Sequence, residues 1–254
     1  MPNRLYSFFL KIVNVPCVEK SDGQSKGCFC KFSKNFNCFD FKHCLKAFTL
    51  AEVLVTLGII GVVAAMTMPT LIANHQKKQV GVKLSKFYSI MSQAVLRWQE
   101  DEGLIAGDYK FSDKSGATLT NWYDTSIGKY IQTVKKEQDG SYLDVAFNDG
   151  SGFNAYISTA DTVFFFYCTE YKYCAPESFD GKRTFVFMLA NGKFGPYGMS
   201  NNDRNKVLNA CKYGNTDDPD VSSKGRRHYC ARLIQMDGWE IKDDYPWGQI
   251  MLEN

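Results

Sequence analysis

The sequence has few of the residues from which active sites are commonly built. It contains only three histidines, namely His43, His75 and His228. After residue 47 no His and Glu stand at the spacing of a helical metal site, and the nucleophile motif Gly-x-Ser-x-Gly, a phosphate-binding loop and a dinucleotide-binding fingerprint are also missing. These absences argue against the common hydrolases, nucleotide-binding enzymes and zinc enzymes. We therefore expect no enzymatic activity.

A strong basic charge is missing from most of the chain. The formal net charge is +3 at pH 7, but residues 1–47 hold eight Lys and Arg against three Asp and Glu, which leaves 22 basic and 24 acidic residues in the remainder. A nucleic-acid-binding domain needs a basic surface to neutralise phosphates. The sequence after residue 47 therefore predicts no nucleic-acid partner.

Charge is absent altogether from residues 53–73, a run of 21 residues. Since a helix rises about 1.5 Å per residue, this run is long enough to cross a bilayer core of roughly 30 Å. Glu52 stands directly before it, and an ionisable residue there is costly unless it has a function and a partner. Lys42 and Lys46 favour a cytoplasmic N-terminus by the positive-inside rule, although four lysines between positions 77 and 86 weaken that rule.

The residues around this run resemble the N-terminus of type IV prepilins and of type II secretion pseudopilins. In that family a basic leader ends in a small residue, usually Gly, which is followed by Phe. A Glu stands four residues beyond the Phe, and the apolar helix that follows contains a Pro. Here Ala47, Phe48, Glu52 and Pro69 occupy the corresponding positions, with Ala47 in place of the usual Gly.

The resemblance implies a structural subunit of a type II secretion pseudopilus or a type IV pilus. A prepilin peptidase would cut between Ala47 and Phe48, and the new Phe48 amine would be N-methylated. The protein would cross the bacterial inner membrane once, with its N-terminus in the cytoplasm and its head outside, and would enter a filament through Glu52 and Pro69. Expected partners are the peptidase, other pilin-like subunits, the inner-membrane assembly platform and membrane lipid.

Two alternative functions share parts of this pattern. A DNA-uptake pilin would have the same N-terminal helix but would be favoured by a basic head, whereas residues 104–254 are nearly neutral. A signal-anchored extracytoplasmic enzyme or binding protein would gain nothing from Glu52. The structural subunit is therefore the favoured interpretation.

Beyond the apolar run the pattern becomes amphipathic, which indicates that the helix continues. Apolar residues recur three or four positions apart at Val80, Leu84, Phe87, Tyr88, Met91, Val95 and Trp98, opposite Lys86, Ser89, Gln93, Arg97 and Glu100. Gly103 ends this pattern, which predicts one helix of about 55 residues from Phe48. The predicted organisation is a leader over 1–47, a transmembrane half-helix over 48–73, an amphipathic half-helix over 74–103 and an exported head over 104–254.

The head is predicted to be mostly β-structure. One short helix is expected from Asn121 to Val134, with Asn121 as its cap. The expected strands are Tyr142–Phe147, Phe153–Ser158, Thr162–Tyr167, Thr184–Leu189 and Lys193–Tyr197, separated by turn signals such as Asn191-Gly192. An antiparallel sheet of about four strands under the amphipathic half-helix gives an α+β, pilin-like fold. Residues 199–227 are expected to form a surface loop, and the tail aromatics Tyr245 and Trp247 to close the core.

The nine cysteines fall into two groups. Cys168, Cys174, Cys211 and Cys230 follow the leader, where an oxidising compartment would permit two disulfides, most simply between sequence neighbours among three possible pairings. The five leader cysteines, with His43, could be read as a metal site, but their spacing fits no zinc pattern. A disordered leader, or a start codon assigned too far upstream, explains them more simply.

No cofactor is expected, and calcium is the one weak candidate. Some major pseudopilins bind calcium through carboxylates in a C-terminal loop, and the resemblance makes Asp217, Asp218 and Asp220 the corresponding candidates here. These acids lack the alternating spacing of an EF-hand loop, and a charge run is usually a solvated turn.

Overall fold

The computed structural model describes residues 49–103, 109–177, 179–213 and 227–247. The chain divides into two compact units, Met1–Met68 and Pro69–Asn254. In the first unit the described residues, 49–68, are almost entirely helical. The second unit contains the remaining helices and the whole β-sheet.

Helix α1 spans Leu50–Glu102, or 53 residues, and ends at Gly103, whose φ of 63° is readily adopted only by glycine. The single long N-terminal helix predicted from the sequence is thus confirmed. Its buried residues are Val80, Gly81, Leu84, Phe87, Met91, Ala94, Val95 and Trp98. These include every member of the predicted apolar stripe except Tyr88, which is half-buried at the edge of the core.

The sheet has six antiparallel strands in the spatial order β1-β2-β3-β4-β5-β6. They span Lys135–Asp139, Tyr142–Ala146, Gly152–Thr159, Thr162–Cys168, Thr184–Ala190 and Lys193–Pro196. The prediction of about four strands was wrong, and β1 was missed altogether. All five residues of β1 are exposed, so this edge strand has no alternation of apolar and polar side chains from which it could be recognised.

Helix α1 packs along one face of this sheet with a defined direction. The Lys83 Nζ donates to the Thr169 carbonyl at 2.7 Å, just beyond the end of β4. The Gln99 Nε2 donates to the Gly192 carbonyl at 2.6 Å, in the turn between β5 and β6. Phe87 lies between these points and is 3% exposed among the rings of Tyr167 and Phe187. The predicted pilin-like α+β fold is therefore confirmed.

Helix α2 spans Gly116–Thr125 and is followed by a short 3₁₀ turn, Ile127–Tyr130. The prediction of a helix from Asn121 to Val134 was wrong in its start and its end. The N-cap is Ser115, whose Oγ accepts a hydrogen bond from the Thr118 N–H at 3.1 Å, and Asn121 lies inside the helix.

Helices α3, Arg204–Tyr213, and α4, Cys230–Met236, complete the second unit. Because α3 lies within residues 199–227, the prediction of a single surface loop there was wrong. The Arg204 guanidinium makes a two-pronged contact with the Asp237 carboxylate, both hydrogen bonds being 2.7 Å long. Tyr245 and Trp247, which follow α4, are 5% and 8% exposed, as predicted for residues that close the core.

Candidate functional site

The start of helix α1 is a reciprocal cap formed by Thr49 and Glu52. The Thr49 backbone N–H donates to the Glu52 Oε2 at 2.8 Å, and the Glu52 N–H donates to the Thr49 Oγ1 at 3.2 Å. The Thr49 hydroxyl also donates to the same Oε2 at 3.0 Å. This is a capping box, in which two helix-terminal N–H groups are satisfied by each other's side chains.

The signal for this cap is present in the sequence, although the prepilin-like motif does not include Thr49. Thr49 and Glu52 stand three residues apart immediately before an apolar run, which is the usual spacing of a capping box. The cap gives Glu52 a hydrogen-bonding partner within its own chain. Within the described part of the chain, these bonds all use Oε2, and Oε1 accepts none.

The helix surface that follows the cap is apolar and exposed on all sides. Large side chains exposed by more than half include Leu50, Leu54, Val55, Leu57, Ile59, Ile60, Val62, Val63, Met66, Met68, Leu71 and Ile72. Within the described residues, α1 is the one helix that is long and apolar enough to cross a membrane, and none of its most apolar stretch is buried. A helix that is apolar all round requires a lipid or protein environment.

Pro69 lies inside α1, at the first residue of the second compact unit. It has no backbone N–H, so the Ala65 carbonyl loses the hydrogen bond that position 69 would otherwise donate. Pro69 therefore marks a local weak point in an otherwise continuous helix. Ala47 and Phe48, the predicted cleavage and methylation residues, lie outside the described residues.

The head carries two disulfides. Cys168 is bonded to Cys174, and Cys211 to Cys230. This is the pairing of sequence neighbours that the sequence favoured. The first bond holds the turn that follows β4, and the second joins α3 to α4.

A small cavity lies on the face of the sheet opposite α1. Its volume is about 100 Å³, and its lining comprises Tyr156, Phe164, Phe166, Glu177, Phe179, Val186 and His228. Pockets that hold small organic ligands usually measure roughly 300–1,000 Å³, so this cavity is small for such a ligand.

Metal ligands are not gathered anywhere in the described part of the chain. Across residues 49–103, 109–177, 179–213 and 227–247, no three His, Cys, Asp or Glu side chains are placed to hold an ion. The weak calcium candidates Asp217, Asp218 and Asp220 lie outside these ranges.

Comparison with known proteins assigns the chain to a family through its second unit. No curated protein and no solved structure matches the chain. Residues 70–248 match a protein family described as "Family of unknown function (DUF6613)". The match begins just after Pro69, so it covers the amphipathic half of α1 and the head, and not the prepilin-like segment before it. Because it extends over more than half of the sequence, the chain belongs to the DUF6613 family.

Proposed function

We propose that this protein is a pilin-like structural subunit of a type II secretion pseudopilus or a type IV pilus. The observation that carries the proposal is that none of the most apolar stretch of helix α1 is buried. The first turn of this helix contains Glu52, which forms a capping box with Thr49 and is the fifth residue after the predicted cleavage point. The later turns of the helix pack against a pilin-like head. A filament core built from such helices would cover this apolar surface.

Under this proposal the protein is made with its N-terminus in the cytoplasm and its head outside the membrane. Prepilin peptidase cuts between Ala47 and Phe48, and the Phe48 amine is then methylated. Helix α1 holds the subunit in the bacterial inner membrane until the assembly platform draws it into a filament with other pilin-like subunits. The intact mass of the membrane form tests this step, because a terminus other than Phe48 would contradict it.

Glu52 has a specific role in this proposal. A carboxylate buried between packed helices carries a desolvation cost of several kcal/mol unless a cation meets it. The Thr49 cap occupies Oε2 and leaves Oε1 for the methylated amine of a neighbour's Phe48. The pair would neutralise the buried charge and fix the axial register between neighbours.

Three variants separate this ion pair from the cap. Glu52→Gln keeps a side chain that can serve the capping box but removes the charge. Thr49→Ala removes the hydroxyl of the cap and leaves the charge. Glu52→Ala removes the charge and also the carboxylate half of the capping box. We expect normal cleavage and head folding in all three, with filament incorporation lost in both Glu52 variants and retained in Thr49→Ala.

The measurements follow cleavage by intact mass, head folding by disulfide mapping and incorporation by the amount of protein in sheared filaments. For a minor subunit, the number of filaments assembled replaces the last measurement. Normal incorporation of Glu52→Gln would refute the ion pair. If Thr49→Ala fails and Glu52→Gln succeeds, Glu52 acts only as a helix cap.

A further inference from the structure

The small cavity on the face of the sheet opposite α1 is lined mostly by aromatic rings. Tyr156 of β3 is paired with Phe164 of β4, and their ring centres are 5.7 Å apart. Phe166 stacks on Tyr156 at 5.8 Å, with an angle of 14° between the ring planes. Outward-facing residues of two neighbouring strands thus form one wall of the cavity.

Two rings from outside the sheet complete this wall. Phe179 stacks on Phe166 at 5.7 Å, with an angle of 12° between the ring planes. His228, two residues before α4, meets Phe179 with a centroid separation of 4.3 Å. Phe166 and Phe179 are 3% and 8% exposed, so these rings are a packed part of the head. The cavity is therefore formed within the second unit alone.

The volume of the cavity suits a group of about four heavy atoms. A protein cavity of about 150 Å³ can hold benzene, which has six heavy atoms. By proportion, this cavity of about 100 Å³ has room for roughly four. A tert-butyl group and a trimethylammonium group both have this size. The cavity can therefore hold one end of a small ligand, and the surrounding charge determines which of these two groups fits better.

A carboxylate is part of the cavity lining. Glu177 is exposed there, and the Tyr142 hydroxyl donates to its Oε1 at 3.4 Å. The Tyr142 ring meets Tyr156 edge-on at 5.7 Å, so it connects the Glu177 carboxylate to the aromatic wall. Among the described residues, the lining contains no lysine or arginine.

The sheet around the cavity adds further negative charge. Two rows of outward-facing, directly paired residues pass through the aromatic wall; they are Glu137, Asp144, Asn154, Phe166 and Val186, and Asp139, Tyr142, Tyr156, Phe164 and Met188. In the described part of the chain these rows contain three carboxylates and no cation. The row on either side contains one lysine, namely Lys135, which is paired with Glu137 at 2.9 Å, and Lys193, which lies on the edge strand β6. Asp139 and Asp144 therefore add to the charge of Glu177.

The cations next to the covering segments are held by other partners. Arg227 precedes the His228 ring in sequence, but its guanidinium donates to two carbonyl groups at the end of α3, at 3.2 and 3.1 Å. Arg183 forms an ion pair with Asp180 at 3.1 Å. Lys182 lies over the Trp247 ring at 5.2 Å.

We propose that this cavity binds the quaternary ammonium group of a small soluble cation such as choline. Aromatic faces and carboxylates both attract positive charge, and aromatic rings around a cation are the usual way in which proteins recognise quaternary ammonium ligands. A primary ammonium has three N–H donors, which rings satisfy poorly, whereas a trimethylated one has none. The site uses residues of the second unit alone, so binding does not depend on membrane insertion of α1.

The negative surroundings also select against an anionic group beside the ammonium. In the headgroup of phosphatidylcholine, a phosphate is linked to the choline, and it would approach Glu177, Asp139 and Asp144. Like charges brought together at a binding site weaken the complex. We therefore expect free choline to bind more tightly than glycerophosphocholine, which is the soluble form of that headgroup.

Isothermal titration calorimetry of the full-length chain tests the site. The chain is kept at constant ionic strength in dodecyl maltoside, a detergent without choline. A group of this size should give choline a dissociation constant of about 0.1–1 mM. We expect 3,3-dimethyl-1-butanol, the uncharged isostere of choline, to bind at least about tenfold more weakly.

Two variants locate the binding within the chain. Phe164→Leu removes a ring but keeps an apolar side chain, and it should weaken choline binding by about 3- to 30-fold. Glu177→Gln removes the carboxylate charge, and it should weaken binding by about two- to fivefold. The matched controls are Phe147→Leu, a half-buried ring 6.1 Å from Phe87 on the α1 side of the sheet, and Glu102→Gln, an exposed acid at the end of α1. Both controls should bind choline as the unchanged chain does.

Each alternative result contradicts a specific part of the proposal. The absence of binding heat at about 10 mM choline would overturn the site. Equal affinity for the uncharged alcohol would overturn the recognition of a cation, and tighter binding of glycerophosphocholine would overturn the preference for a free cation over a lipid headgroup. Unchanged choline binding in Phe164→Leu and Glu177→Gln would overturn the assignment to this cavity. Since Glu177 is exposed, its variant tests the cavity even if Phe164→Leu does not fold.

Discussion

Phe87 is the residue on which the packing of helix α1 against the sheet most depends. Its ring is 3% exposed and stacks on Tyr167 with a centroid separation of 4.3 Å. It also meets Phe187 and Phe194 edge-on at 5.0 and 5.7 Å. Phe87→Ala would remove these contacts and leave a cavity between the helix and the centre of the sheet.

The expected cost can be estimated from these contacts. Truncation of a buried Phe to Ala usually lowers the free energy of unfolding by about 3–5 kcal/mol. Each close aromatic pair contributes about 0.5–1.5 kcal/mol beyond its buried area, so a ring with several partners belongs in the upper half of that range. For a chain of this size, a loss of about 4 kcal/mol corresponds to a fall in melting temperature of roughly 8–16 °C.

The assay is denaturant unfolding of the purified chain in detergent, followed by circular dichroism. Leu96→Ala is the matched control, because Leu96 lies on the same half of α1 but is 64% exposed. We expect the control to change the free energy of unfolding by less than about 0.5 kcal/mol. A Phe87→Ala variant within about 1 kcal/mol of this control would refute the assignment of Phe87 to the centre of the core.

Two further substitutions test other contacts in the second unit. Gly81→Ala should destabilise the head although Ala favours helices, because the new Cβ would lie 2.2 Å from the Trp239 carbonyl oxygen. Thermal unfolding measures this effect, and the control is Gly61→Ala, whose Cβ meets no atom within 4 Å. Burial opposes ionisation of Asp149, but hydrogen bonds from Lys86 and a neighbouring serine outweigh it and lower the pKa of Asp149 to about 2. Because this pKa is depressed in the folded state, the stabilisation is present above about pH 4 and is lost as the pH falls to about 2. Lys86→Met should therefore lower the free energy of unfolding by about 1 kcal/mol at pH 7, and a difference that persists at pH 2 in acid titrations would contradict this cause.

The long helix and most of the sheet could be predicted because their side chains repeat with a regular period. In β4, every second residue, namely Val163, Phe165 and Tyr167, is buried towards α1. In α1 the buried residues recur three or four positions apart, as the period of a helix requires. Turn residues also carried information. Asn191 and Gly192 both adopt positive φ, at 49° and 68°, as the hairpin signal Asn-Gly requires.

The two elements that were not predicted, β1 and α3, show no clear period. The residues of β1 are all exposed, and the few buried residues of α3 stand among polar ones. Helix α3 buries only Val207, Ala210 and Cys211, a spacing of three and one that identifies a helix face but is easily overlooked among charged residues. Its start was also signalled, since the Asp203 carboxylate accepts hydrogen bonds from the N–H groups of Asn205 and Lys206. Tertiary contacts rather than local sequence stabilise such short helices.

The candidate site at the start of α1 was located by sequence but not fully explained by it. The apolar run and the position of Glu52 indicated where to look. The spacing of Thr49 and Glu52 also predicts a capping box, but the prepilin-like motif includes only Glu52, and the cap was identified from its hydrogen bonds.

The simple order of the strands has a consequence for how the head is built. Every strand pairs with its neighbour in sequence, and each connection except the one between β4 and β5 has five residues or fewer. Proteins dominated by such local contacts fold faster than those that must bring distant segments together. As the polypeptide is synthesised from its N-terminus, each new strand finds its partner already present. We therefore expect the sheet to grow in one direction, from β1 to β6, with the Cys211–Cys230 bond formed last.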